Sequence, residues 1–343
     1  MTDPGKGAAI FGCAGPVLLP DERDFFRDFA PAGFILFARN VEDPTQLRRL
    51  THDLRAAVGR QAPILVDQEG GRVQRLRAPH WREWSPPLDF VQAAGVHAAR
   101  AMELRARLIA RELRAVGIDA NCAPVGDLLC DHTHPFLKNR CYGSDPAQVS
   151  AIGLAVARGF LAEGVLPVMK HLPGHGRTLV DAHHDLPTVT ADRAQLAAQD
   201  FAPFRAMRDL PMAMTGHLVF TAYDARHPAT LSPEMIRVIR DEIGFDGLLL
   251  TDDLNMNALA GTLATRTAAA LAAGVDIALH CKGDLAEMQM VALAAGDMTA
   301  QALTRAASAL ARRGVPDTVD PDTVDNAALE GELSAMMAEA DHG

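Results

Sequence analysis

Short apolar runs alternate along this chain with longer stretches whose apolar residues recur at helical spacing. The runs at 10–18, 33–37, 63–66, 118–122, 166–169, 212–215, 248–251 and 276–279 have the length of buried strands. Between them, segments 90–116, 146–163, 191–208, 233–242 and 263–273 predict helices. Three helix starts carry a capping residue before a proline at the first helical position: Asp43-Pro44, Asp145-Pro146 and Ser232-Pro233. Eight strands with helices between them predict an α/β fold, a (β/α)8 barrel of the TIM type, with an open doubly wound sheet as the alternative.

A length of 343 residues suits a single such barrel, and a 48% hydrophobic content with only 5% aromatics requires a core of Ala, Leu, Val and Ile. The formal net charge is -10, and residues 315–343 contribute eight acidic side chains and no Lys or Arg. The expected organisation is a catalytic barrel over 1–314 and an acidic tail over 315–343. The tail opens with two copies of Pro-Asp-Thr-Val-Asp, followed by a short amphipathic helix around 329–337. The body carries no basic field to attract a phosphate backbone, so nucleic acid is not an expected partner. The five cysteines include no CxxC pair, which argues against a structural zinc knot or a disulfide framework. No run reaches the ~18 apolar residues of a membrane span. Nothing after Met1 reads as a signal peptide, and the expected location is the cytoplasm.

Barrel enzymes place their chemistry at the carboxyl ends of the strands. The polar residues there are Asp67, Gln68 and Glu69 after the third strand, Asn121 at the fourth, and Lys170 and His171 after the fifth. His217 follows the sixth, Asp252 and Asp253 the seventh, and His280 the eighth. His217 and His280 read individually as hydrogen-bonded structural residues, and Asp67 as a candidate turn cap. Asp127, Asp131, His132 and His134 lie in a loop without periodicity and read as solvated. Consecutive strand residues face opposite sides, so a regular pleat lets only one of Asp252 and Asp253 face a pocket.

Taken together, the motifs are more specific. They run Val66-Asp67-Gln68-Glu69-Gly70-Gly71-Arg72-Val73-Gln74-Arg75, Asn139-Arg140, Lys170-His171-Leu172-Pro173-Gly174-His175-Gly176, Asp181-Ala182-His183 and Thr251-Asp252-Asp253-Leu254-Asn255-Met256. This series resembles the β-N-acetylglucosaminidase branch of glycoside hydrolase family 3, over about residues 10–293. Leu172 stands where that branch commonly has Phe and Ala182 where it has Ser, while His184 adds a second imidazole; no charged group is lost.

The resemblance implies a retaining hydrolase with Asp252 as nucleophile and a His183–Asp181 pair as acid/base. Asp67, Arg75, Arg140, Lys170 and His171 would bind the sugar. Retention needs a carboxylate to form the glycosyl-enzyme and a second group to protonate the leaving oxygen and then deprotonate water. An imidazole titrates near neutrality and a carboxylate partner fixes its tautomer. The implied substrate is a terminal β-linked N-acetylglucosamine on muropeptides, as in cell-wall recycling, with no metal or other cofactor. Two readings compete: a metal-dependent hydrolase using His171, His217 and Asp252, and a non-catalytic sugar-binding barrel.

Overall fold

The computed structural model describes residues 3–178, 186–314 and 326–340. Among them the eight expected strands form and close into one barrel: β1 (Gly7–Phe11), β2 (Pro31–Leu36), β3 (Ile64–Val66), β4 (Ala120–Asn121), β5 (Leu166–Leu172), β6 (Met212–Thr215), β7 (Leu248–Asp253) and β8 (Ile277–His280). They follow one another around the barrel in chain order, each pairing parallel with the next. The register Ala9–Ala278 to Phe11–His280 joins β1 to β8 and excludes the open-sheet alternative.

Alternation along the strands sorts their side chains. Ile10, Leu65, Val168, Met214, Leu250 and Leu279 fill the interior. Phe11, Phe34, Leu36, Ile64 and Val66 turn outward into a second apolar layer. Helices α1 (Pro20–Phe29), α2 (Pro44–Val58), α3 (Pro87–Ala94), α4 (Ala98–Ala115), α5 (Pro146–Ala162), α6 (Leu263–Ala273) and α7 (Leu285–Ala295) belong to the outer ring. A further helix, α8 (Ala300–Ala311), packs Ala302, Ala306 and Leu310 into the interior cluster. The three proline-preceding caps form: Asp43 accepts from Thr45 and Gln46, Asp145 from Ala147 and Gln148, and Ser232 from Met235.

Several expected boundaries shift for identifiable reasons. The first strand starts at Gly7 and stops at Phe11, because the Cys13 carbonyl is taken by the Arg39 and Asn40 side chains instead of a neighbouring strand. The stretch 90–116 is two helices, broken where Gly95 takes φ 51°. The stretch 191–208 contains one wide turn in which the Phe201 N–H donates to Leu196 O. Pro203, two residues on, has no N–H to continue the usual ladder.

Past the acidic repeats, α9 (Ala327–Ala340) forms around the expected 329–337 core. It lies on α3 and α4 with Leu329 and Leu333 buried. Its acids pair with the barrel, Glu330 with Arg82 at 2.6 Å and Glu332 with Arg100 at 2.8 Å.

Candidate active site

A cavity of about 310 Å³ opens at the carboxyl ends of the strands. Asp67, Arg75, Arg140, Lys170, His171 and Asp252, all expected site residues, line it together. Asp181 and His183 lie outside the described residues.

The floor on the β3 side is a rigid turn. Gln68–Gly70 pairs antiparallel with Val73–Gln74. The Gln68 side chain accepts from the Arg75 and Leu76 N–H groups, while Asn121 bonds the Gln68 backbone on both sides. Gly70 sits at φ 110°, where a Cβ would collide with the buried Arg105 guanidinium, so only glycine fits. Arg105 in turn donates to the Glu69 carbonyl at 2.7 Å.

Five charged side chains interlock above this turn. Asp67 accepts from Lys170 at 2.7 Å and from Arg75 at 3.0 Å. Glu69, with a side chain only 1% exposed, receives Arg140 through two hydrogen bonds of 2.7 and 2.9 Å and Lys170 at 2.6 Å. Burial pushes both carboxyls up, but the cations outweigh it: Asp67 is held well below the usual range and Glu69 at about 2. Burial likewise works against the Lys170 ammonium, and Asp67 and Glu69 more than offset it.

His171 is fixed from two sides. Its Nδ1 lies 2.7 Å from Asp127 Oδ2 and its Nε2 lies 3.3 Å from Arg140 Nη2. Arginine can only donate and an ionised carboxylate only accepts. Nδ1 therefore donates to Asp127. Asp127 is fully buried and also receives the His171 and His175 backbone N–H groups, so its reading as a solvated loop residue is wrong. His175 joins the cavity wall, with Nδ1 against Thr178 Oγ1 at 3.0 Å. Burial, then the neighbouring His171, pushes its imidazole down to about 4.

The Asp252-Asp253 pair departs from regular pleating. Pairing of β7 with β8 jumps from Leu250–Ile277 to Asp253–Leu279, three steps against two, and the Leu279 N–H goes to Thr251 Oγ1. This bulge lets both carboxylates border the cavity, against the expectation that only one could. A second bulge, between Met169 and Leu172 of β5, places Lys170 and His171 inside the strand and both on the cavity. The two acids are not equivalent. Asp253 accepts the Asn255 and Cys281 N–H groups through Oδ1, and burial raises its carboxyl. Asp252 Oδ1 accepts one N–H, that of Asp253, at 2.8 Å, and in both acids Oδ2 has no hydrogen-bond partner among the described residues. Burial opposes ionisation of Asp252, yet His171 and His217 overcome it and lower its carboxyl.

Residues 21–312 match the family model for the glycosyl hydrolase family 3 N-terminal domain. The chain belongs to glycosyl hydrolase family 3. A β-hexosaminidase of Stenotrophomonas maltophilia is 37% identical over 303 residues, covering 86% of this chain and 89% of the relative. NagZ of Neisseria gonorrhoeae, solved in complex with N-trifluoroacetyl-D-glucosamine, superposes with a TM-score of 0.86 at 28% identity, over 99% of this chain and 100% of that one. A family 3 β-N-acetylglucosaminidase from Paenibacillus gives a TM-score of 0.84 at 30% identity, over 96% of this chain and 67% of that one.

Within this family 3 barrel, His217 and His280 are structural, as expected. His217 spends both ring nitrogens on Thr230 and the Asp253 carbonyl, and His280 meets Glu287 at 3.1 Å. Among the described residues no three His, Cys, Asp or Glu side chains converge to hold a metal ion, which leaves the metal-hydrolase reading without a ligand set there. Sequence reasoning did not assign Glu69, Asp127 or His175 to the site. Glu69 and His175 lie inside the recognised motifs, whereas Asp127 had only its place shortly after β4 to mark it.

Proposed function

We propose that this family 3 β-hexosaminidase is a retaining exo-β-N-acetylglucosaminidase, with Asp252 as its nucleophile. The observation that carries the reading is the Asp252 carboxylate, lowered where burial raises its neighbour Asp253, and bordering a cavity walled by Asp67, Arg75, Arg140, Lys170 and His171. Asp252 would attack the anomeric carbon as the leaving oxygen takes a proton, and water would later release the sugar with return of that proton.

The proton carrier we assign is His183, paired with Asp181. The histidines on the described wall are poorly suited to that task. His175 is held at about 4 and is unprotonated near neutrality. The Nε2 of His171 faces a guanidinium that can only donate. Long cationic side chains suit hydroxyl and amide oxygens, and a related protein binds an N-acylated glucosamine. We therefore assign Asp67 to the sugar hydroxyls, and Arg75, Arg140, Lys170 and His171 to the same sugar and its acetamido group. By family resemblance the aglycone is a muropeptide. Five free cysteines fit a reducing compartment, the cytoplasm.

Release of nitrophenol from the β-N-acetylglucosaminide, beside the β-glucoside and with or without EDTA, tests this reading. Turnover of the acetamido sugar alone, unaffected by chelator, is expected. No turnover, or turnover abolished by EDTA, would overturn it.

A further inference from the structure

A second, larger cleft lies at the opposite end of the barrel. It measures about 660 Å³ and sits between the carboxyl-terminal half of α2 and the end of α4, beside the loops that lead into β3 and β4. Arg48, Arg55, Arg60, Arg114 and His52 line it, and none of its lining residues is acidic. In a chain of net charge -10 this is a local inversion of sign.

The pairing of these groups is incomplete. Asp119 neutralises Arg55 and, from just behind, Arg313, each at 2.8 Å. Arg48, Arg60 and Arg114 form no ion pair with a carboxylate among the described residues. Their contacts are the Thr45 hydroxyl for Arg48, the Asp3 and Pro31 carbonyls for Arg60, and the Gly164 carbonyl at 3.3 Å for Arg114. Arg60 also keeps a buried Nε without a partner. Burial lowers Arg60 and Arg114; Asp3 and Asp119 respectively oppose it, while Arg313 lowers both further and Arg55 lowers Arg114. Several cations converging on one concavity, with too few carboxylates, form a site for an anion of high charge density. Planar guanidinium forks match the oxygens of a phosphate.

We propose that this cleft binds a phosphate group, free or carried on a small metabolite, far from the catalytic pocket. The amino-terminal face of such barrels bears on stability rather than catalysis. A bound phosphate would therefore tie α2 to α4 and raise the melting temperature without entering the reaction.

The test compares wild type with the R48S/R114S double variant, neither residue belonging to the catalytic pocket. Melting is followed in sodium chloride, inorganic phosphate and glucose 6-phosphate at equal ionic strength and near-neutral pH. At about 100 times the dissociation constant, phosphate should raise the wild-type melting temperature by roughly 2–4 °C over chloride. The double variant should lose that gain while hydrolysing the nitrophenyl sugar at the wild-type rate. An equal gain from both phosphates assigns the site to the ion itself; a larger one from the ester assigns it to a metabolite. Calorimetric titration with inorganic phosphate gives the same answer independently of melting, and R114K should recover part of the binding through its charge. Phosphate no better than chloride for wild type, or a gain unchanged in the double variant, would overturn the proposal.

Discussion

Asp252, the proposed nucleophile, lines the cavity, whereas Glu69 lies behind its wall and holds the cations that do. Replacing Asp252 by Asn would remove the proposed nucleophile with almost no change of shape. A loss of roughly 10³-fold or more in kcat, about 4 kcal/mol of barrier, is expected, with a covalent sugar detectable by mass spectrometry only in the wild type. Glu69 does not line the cavity, yet it holds Lys170 and Arg140, which do. E69Q should therefore act mainly through binding. KM is expected to rise roughly 10–100-fold, the equivalent of about 1.5–3 kcal/mol of charged hydrogen bonding, and kcat to fall less. Steady-state kinetics separate the two, and an E69Q enzyme with unchanged KM would show that the cations hold their own positions. Asp67, Arg75, Arg140, Lys170, His171 and Asp252 were legible from motif and strand-end position. Asp127 was not, because its contacts with His171 and His175 span 44 and 48 residues and follow no local period.

At the level of elements, apolar periodicity located every barrel strand, and the departures came where a side chain or a proline competed with the ladder or, at Gly95, where a glycine took a positive φ. The bulges in β5 and β7 belong to this class. Each inserts one residue against its neighbour and brings adjacent polar side chains onto the same cavity, which strict alternation forbids. The α9 helix makes a separate prediction. Leu329 and Leu333 are its buried anchors on α3 and α4. The L329A/L333A variant should lose about 2 kcal/mol or more per site. Faster hydrogen exchange is expected over residues 327–340, with turnover unchanged. A fall in turnover alongside the faster exchange would instead tie this helix to the site.

Over the whole molecule, buried ionisable groups set the response to acid. Glu69 titrates at about 2 in the folded chain against an ordinary 4.5, so its stabilisation is complete above that ordinary value and drains away as pH falls toward 2. His175, held at about 4 against 6.5, is buried neutral; the unfolded chain takes up its proton first, and stability declines from near pH 6.5 downward. The melting temperature should therefore begin to fall below about 6.5 and drop more steeply below about 4.5. E69Q should remove part of the lower phase in a pH series of thermal scans. Asp252 is also lowered, so the acid limb of kcat/KM should lie below the ordinary carboxylate range. The sequence by itself determined where the eight strands lie, an α/β fold and the family, because period, turn chemistry and contiguous motifs are local properties of the chain. Only the tertiary structure decided that the sheet closes, which of two adjacent aspartates has its carboxyl lowered and which raised, that Asp127 is buried against His171, and that arginines from two helices and a loop meet in one cleft. Those facts depend on register shifts and on contacts between residues far apart in sequence.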